Sequence, residues 1–324
     1  MSFNITWYAD MPLWEEEEGA SYIKKASVLM ENKGFNGALF YYLNDSLDPW
    51  TSAGLIIQST KRLTPIIAVQ PYSMPPFTAA KIIHALAHYF GRRVEINLVS
   101  GGQTAELEEV GDRLNHEERY ERLIEYGVVL RSLLSTNEPL TFAGKYYSYQ
   151  NLCMHSAVDP TLMPRIFCAT TFSSPHGISA AKQIADVVLT FPGPVNHFQQ
   201  FFCNQFVGSP VELGIRIGLI TRSTESEAFQ AANRNMDHRL RKLEKAHLIR
   251  DGWTQLEDDT IYFPRRQQAA DCPCLVGSYE QVATYIRKYA ELGVKHIIIG
   301  ASIGFEEAEH YEKVFEMINC YSDL

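Results

Sequence analysis

The stretch Arg62–Tyr120, RLTPIIAVQPYSMPPFTAAKIIHALAHYFGRRVEINLVSGGQTAELEEVGDRLNHEERY, decides how the rest of the chain is read. Leu63 to Val69 is an apolar run of strand length, Pro76 to Phe90 reads as a helix, and Val94 to Val99 is a second apolar strand. Ser100-Gly101-Gly102 then makes a turn, and Asn115-His116-Glu117-Glu118-Arg119-Tyr120 opens another helix. Strand, helix, strand, helix implies parallel pairing, because parallel neighbours need a crossover long enough to hold a helix. Ligands of parallel α/β folds bind at the carboxyl ends of the strands. Ser100 and the first turn of the following helix are therefore expected to face one site.

The same alternation extends in both directions. Phe3 to Ala9 alternates apolar and polar residues and ends at Asp10-Met11-Pro12, giving a first strand. Ala20 to Lys33 has helical spacing, with Gly34 where a helix-ending glycine is expected. Gly37 to Leu43 is a strand and Trp50 to Ser59 a helix. Beyond the helix Glu117 to Leu134, Thr141 to Tyr149 reads as a small hairpin turning at Ala143-Gly144. Strands Arg165 to Ala169, Val187 to Thr190, Val211 to Thr221 and His296 to Ile299 then alternate with helices, the last of which starts at Phe305. This is the α/β pattern of a closed (β/α)8 TIM barrel with insertions, one domain over residues 1–324. Counting strands leaves an open doubly wound sheet as the alternative. Residues 241 to 275 break the rhythm, and 245 to 275 are expected to form a mobile lid over the barrel mouth.

Composition bounds the function. With 324 residues and 46% hydrophobic content the chain can bury a full core, and its net charge of -9 argues against a nucleic-acid surface, which needs a basic stripe. The start of the chain has neither the basic nor the apolar region of a signal peptide, and no apolar run approaches membrane-spanning length. A cytoplasmic protein is expected, and its six scattered cysteines fit reduced thiols. Cys272-Pro273-Cys274 lacks the further ligands of a zinc site, and His84 and His88 lack the glutamate of a zinc protease, so no metal is expected.

Asn97-Leu98-Val99-Ser100-Gly101 followed by His116-Glu117-Glu118-Arg119-Tyr120-Glu121 resembles the bacterial luciferase-like flavin-dependent monooxygenases, most closely their reduced-flavin-dependent alkanesulfonate branch. The likeness runs almost end to end, through Asp48-Pro49-Trp50, Phe172-Ser173-Ser174-Pro175, Gly214-Ile215-Arg216 and Leu275-Val276-Gly277. It implies a (β/α)8 barrel that uses reduced FMN (FMNH2) from a separate flavin reductase. It also implies activation of O2 as a C4a-peroxyflavin, which oxygenates a small-molecule or carrier-bound substrate. By the same resemblance Ser100, His116, Tyr120, Ser173 and Ser174 surround the flavin and its phosphate. The chain departs from the family pattern at four positions: Ser46 replaces a cysteine, Gly218 a histidine, Ala301 a tyrosine and Phe191 a tryptophan. The sulfonate-binding set is thus only partly matched.

Each candidate has a structural reading beside the functional one. Ser173-Ser174 precede a helix, where hydroxyls and unpaired N–H groups make an anion site of their own accord. His116 is either a helix-start residue or part of the flavin site. Arg216 lies in an apolar strand and needs an anion, supplied by a strand acid or by the substrate or peroxide; its alternation with Ile215 and Ile217 points it into the barrel. With Ser46 it is the candidate catalytic pair. Trp7, Trp50 and Phe191, at strand ends, are candidates for the substrate pocket or for core. A homo-oligomer, dimer or tetramer, is expected. The rival functions are an F420-dependent oxidoreductase of the same fold and a non-catalytic flavin-binding protein.

Overall fold

The first barrel strand, Thr6–Asp10, pairs in parallel with Gly37–Phe40 on one side and with Val294–Gly300 on the other. That double pairing closes the sheet. In this computed structural model, which describes residues 3–11, 19–101, 104–244, 253–255, 261–264, 272–300 and 305–319, the circuit runs on through Thr64–Val69, Glu95–Leu98, Ile166–Ala169, Val187–Thr190 and Glu212–Arg222. Glu212–Arg222 returns to the eighth strand with Ile215 opposite Ile297 and Arg216 opposite Ile298. The fold is a (β/α)8 barrel, and closure disposes of the open-sheet alternative.

Because side chains alternate along a strand, closure sorts every strand into two sets. Tyr8, Leu39, Ile66, Phe167, Leu189 and Ile298 pack together inside the barrel. Their neighbours, such as Trp7, Ala9, Ala38, Ile67, Ile215 and Ile297, belong to the larger core shared with the helices. Several helices after barrel strands begin on a side-chain cap. Asp48 accepts from Thr51 N at 2.7 Å, and Ser174 accepts from Gly177 N at 3.1 Å. Asn115 with Glu118 and Ser278 with Gln281 form reciprocal capping boxes. These caps pin the helix starts, and hence the loops, at the carboxyl ends of the strands.

The seventh strand is long because it pairs beyond the barrel as well as within it. Its first half closes the barrel, while Gly218 to Arg222 pairs with a strand the sequence reading missed, Cys274–Ser278. The short strands Trp253–Gln255 and Ile261–Pro264 extend this sheet antiparallel. The expected lid over 245 to 275 falls largely outside the described residues; its described pieces are these strands. The hairpin lies where expected, as Leu140–Ala143 against Ser148–Leu152. The sequence reading also missed a short helix, Thr104–Glu109. No helix among the described residues is long and apolar enough to cross a membrane.

The amino-terminal face of the barrel is tied by a buried polar network. Glu95, 1% exposed, pairs with Arg93 at 3.0 Å and accepts from Arg165 N at 2.5 Å. Arg165 donates to the Tyr8 hydroxyl at 3.0 Å, Tyr8 meets His296 Nδ1 at 3.3 Å, and His296 Nε2 meets Glu212 at 2.8 Å. A neutral His296 with its proton on Nε2 satisfies both contacts. Burial lowers the His296 pKa to about 4. Glu212 is lowered to about 2, because hydrogen bonds from Lys295 and His296 outweigh the upward push of burial.

Both folded-state values lie below the unfolded ones, so this stability is complete above about pH 6.5 and is lost as pH falls, through His296 first and Glu212 last. Denaturant unfolding should show wild type losing up to about 3 kcal/mol between pH 6.5 and pH 4 from His296. His296→Gln should lose less than about 1 kcal/mol over that window. Equal slopes for the two proteins would contradict the assignment.

Candidate active site

At the carboxyl end of the barrel the inward positions of strands one, seven and eight meet. Arg216 donates through Nε at 2.9 Å and Nη2 at 2.6 Å to one oxygen, Oδ2, of Asp10. Its guanidinium lies 4.6 Å from the centre of the Tyr41 ring and 5.4 Å from that of Phe191. Asp10 is 5% exposed, while the Arg216 side chain keeps 26%. Burial opposes the charge on Arg216, but Asp10 and the nearby Cys272 outweigh it and the pKa rises, so the guanidinium stays charged. Gly300 completes the corner. A Cβ there would lie 2.7 Å from Cys272 Sγ, 3.1 Å from Asp10 Oδ2 and 3.2 Å from Arg216 Nε, which leaves no room for a side chain.

Two further polar atoms belong to this end of the barrel. Asn97, 5% exposed, alternates with the outward-facing Ile96 and Leu98, and its Oδ1 is buried with no partner among the described residues. The Tyr41 hydroxyl is in the same condition. A buried amide or hydroxyl left unpaired costs about 1–3 kcal/mol, so a polar ligand that met either atom would recover free energy there. Together with two aromatic rings and a cation they fit a planar heterocycle carrying hydrogen-bond donors and acceptors.

A second cluster lies where the helices His116–Ser135 and Pro175–Ile184 begin. The His116 ring is 5.1 Å from Tyr120 and 6.0 Å from His176. Ser173 is exposed, its hydroxyl 3.2 Å from that of Thr171, and Ser174 caps the helix. Gly177 lets three segments touch, since a Cβ there would meet Thr170 Oγ1 at 1.9 Å and the Tyr120 hydroxyl at 2.9 Å. Burial, then the charges of Arg119 and His176, lower the His116 pKa. Exposed hydroxyls, two imidazoles and a helix amino terminus form a donor set suited to a phosphate. His116, Tyr120, Ser173 and Ser174 are thus close together, whereas Ser100 is buried in the turn after strand four, beside Gly101.

Three expected residues lie elsewhere. Trp7 faces the helices, stacked at 4.2 Å on Phe315 of the last helix, because alternation that sends Asp10 inward sends Trp7 outward. Trp50 is buried in the helix-side core at the start of its helix. The Ser46 hydroxyl closes its own loop, accepting from Leu43 N and donating to Leu43 O, both at 3.0 Å. It lines a half-open cavity of about 430 Å³ with Asp48 and Glu109, apart from the Arg216 corner. The sequence reading missed Asp10, Asn97, Cys272 and His176. For Asp10 and Asn97 the signal was present, since both share the inward register of their strands. Among the described residues no three His, Cys, Asp or Glu side chains are grouped to hold a metal.

Residues 1–296 match the family model for luciferase-like monooxygenases. The chain belongs to that family. It is 34% identical over 313 residues to the 4-(gamma-L-glutamylamino)butanoyl-[BtrI acyl-carrier protein] monooxygenase BtrO of Niallia circulans, covering 91% of this chain and 90% of the relative. Among solved structures, the fold matches the long-chain alkane monooxygenase LadA with a TM-score of 0.78 at 15% identity, over 99% of this chain and 92% of that one. It also matches the oxygenating constituent of the Pseudomonas putida 3,6-diketocamphane monooxygenase, in complex with FMN, with a TM-score of 0.66 at 14% identity, over 98% and 97% of the two chains. The protein is accordingly an enzyme, a monooxygenase of the luciferase-like type.

The contact at Gly177 gives a direct test of the second cluster. Gly177→Ala forces Thr170 and Tyr120 away from the helix start and should lower stability by about 1–3 kcal/mol in denaturant unfolding. A variant as stable as wild type would contradict this packing.

Proposed function

We propose that the protein is the oxygenase of a two-component system, accepting FMNH2 from a separate reductase and oxygenating an acyl group held on an acyl-carrier protein. The observation that carries this reading is the similarity to BtrO over nine-tenths of both chains, a relative whose name specifies a carrier-bound acyl substrate. Substrate class is therefore taken from this relative rather than from the alkanesulfonate branch. When bound, reduced flavin supplies the activation of dioxygen. The protein supplies position, charge and dryness. In this reading Ser173, Ser174, His116 and His176 hold the cofactor phosphate, with Tyr120 supporting them from below. Asn97 Oδ1 and the Tyr41 hydroxyl accept and donate to the ring, and Ser100 borders it. Arg216, kept ionised, presents a donor to oxygen or to a substrate carbonyl as negative charge develops there. Tyr41 and Phe191 shield that corner from water, which strengthens the interaction and suppresses unproductive loss of oxygen as peroxide.

The test is to mix the purified protein with photoreduced FMN, isotopically labelled dioxygen, and an acyl group supplied either on a carrier protein or as the free acid. Label should enter the carrier-bound acyl group, with the free acid at least about tenfold slower, as expected when binding energy from the remote part of the substrate is used at the reacting centre. Turnover with F420 and none with FMNH2 would overturn the reading. Replacing Ser173 and Ser174 together by Ala should weaken FMN binding about tenfold or more, because a hydrogen bond to a charged group is worth roughly 1.5–3 kcal/mol. An unchanged affinity in fluorescence titration would remove the phosphate from this corner.

A further inference from the structure

The Asp10–Arg216 pair does more than neutralise a buried charge. The rings of Tyr41 and Phe191, 4.6 Å and 5.4 Å from the guanidinium carbon, restrict how it tilts. Contact with ring faces leaves it able to turn in its own plane, because cation–π attraction has little preference among in-plane orientations. The carboxylate removes that freedom. Oδ2 accepts from both Nε and Nη2, so one edge of the fork is committed, and among the described residues nothing accepts from Nη1. Gly300 keeps the space beside Oδ2 and Nε clear. Asp10 itself stands on the last residue of strand one, whose register with strand eight is fixed by four consecutive pairs from Thr6–His296 to Ala9–Ile299. Its position is therefore set by barrel closure and not by a loop.

We propose that Asp10 is a positioning residue, which fixes the in-plane orientation of Arg216 so that the Nη1 end of the fork, Nη1 with the outer N–H of Nη2, is presented to the reacting groups at the barrel mouth. The second half of this statement rests on the flavin reading above; the first half concerns the apo protein and stands without it. Asp10→Asn keeps the shape and one acceptor oxygen but loses the charge that holds two donors, so Arg216 regains its freedom.

Two measurements on the full chain test it. In the apo protein, modification of Arg216 by phenylglyoxal, followed by peptide mass spectrometry, should be about fivefold or more faster in Asp10→Asn than in wild type, because the guanidinium is released from a charge-assisted pair. In the second, photoreduced FMN is mixed with oxygen and its reoxidation followed by absorbance. Asp10→Asn should change the rate about tenfold with FMN affinity within about threefold of wild type, as expected for a group that acts at the reacting atoms and not in uniform binding. Asp10→Asn combined with Arg216→Ala should match Arg216→Ala alone, since a residue that acts only through another adds nothing once that other is gone. If Asp10→Asn does not fold, Asp10→Ser, which also removes the charge, carries the same measurements. Unchanged modification of Arg216 would overturn the clamp itself. Multiplying losses in the double variant would show that Asp10 acts independently of Arg216 and overturn its positioning role. Faster modification with no binding of FMN to wild type would leave the clamp standing and reject the flavin reading.

Discussion

A closed ring of parallel strands forces each side chain to choose between the barrel interior and the helices, and almost everything functional in this structure follows from that choice. Closure through Thr6 to Ala9 against His296 to Ile299 removes both sheet edges and locks the register of strand one. With register fixed, Tyr8 fills the interior, Trp7 and Ala9 pack outward, and Asp10 emerges at the mouth facing Arg216. A slip of one residue would exchange these sets, turning an indole into the barrel interior and burying a carboxylate among the helices. The apolar inner layer and the outer core thus hold the charged pair in place.

The two ends of the barrel solve the cost of buried charge differently. At the amino-terminal face, Glu95, Arg93, Arg165, Tyr8, His296 and Glu212 satisfy one another, and the network is complete. At the carboxyl face the polar groups are incompletely satisfied: Asn97 Oδ1 and the Tyr41 hydroxyl are buried without partners among the described residues. A barrel pays for such atoms in stability, and a ligand that pairs with them recovers that free energy as affinity. The asymmetry agrees with the general division of this fold into a stabilising end and a reactive end.

Much of the fold was legible because strand and helix periods differ. All eight barrel strands were located, the first from apolar–polar alternation and the others from largely apolar runs, including Val187–Thr190 at its observed limits, and the helix Pro76–Phe90 was read to the residue. The strand Cys274–Ser278 was missed because it follows directly on the charged excursion, which was read as running through residue 275. At the site, alternation about Ile215 and Ile217 correctly turned Arg216 inward, but the same argument was not carried to strand one. Ending that strand at Ala9 and reading Asp10 as a turn residue hid both the partner of Arg216 and the outward face of Trp7. His176 and Gly177 carry no local pattern; their importance comes from contacts with Tyr120 and Thr170, distant in sequence.

In the proposed reading the carboxyl end of this barrel, between the Arg216 corner and the start of the helix Pro175–Ile184, takes the flavin. A crystal structure of the protein with FMN bound tests this. The phosphate is expected within hydrogen-bond distance of Ser173 and Ser174 and the ring system in the mouth, paired with Asn97 Oδ1. Flavin seated at the amino-terminal face or in the cavity beside Ser46, with Asn97 still unpaired, would contradict it.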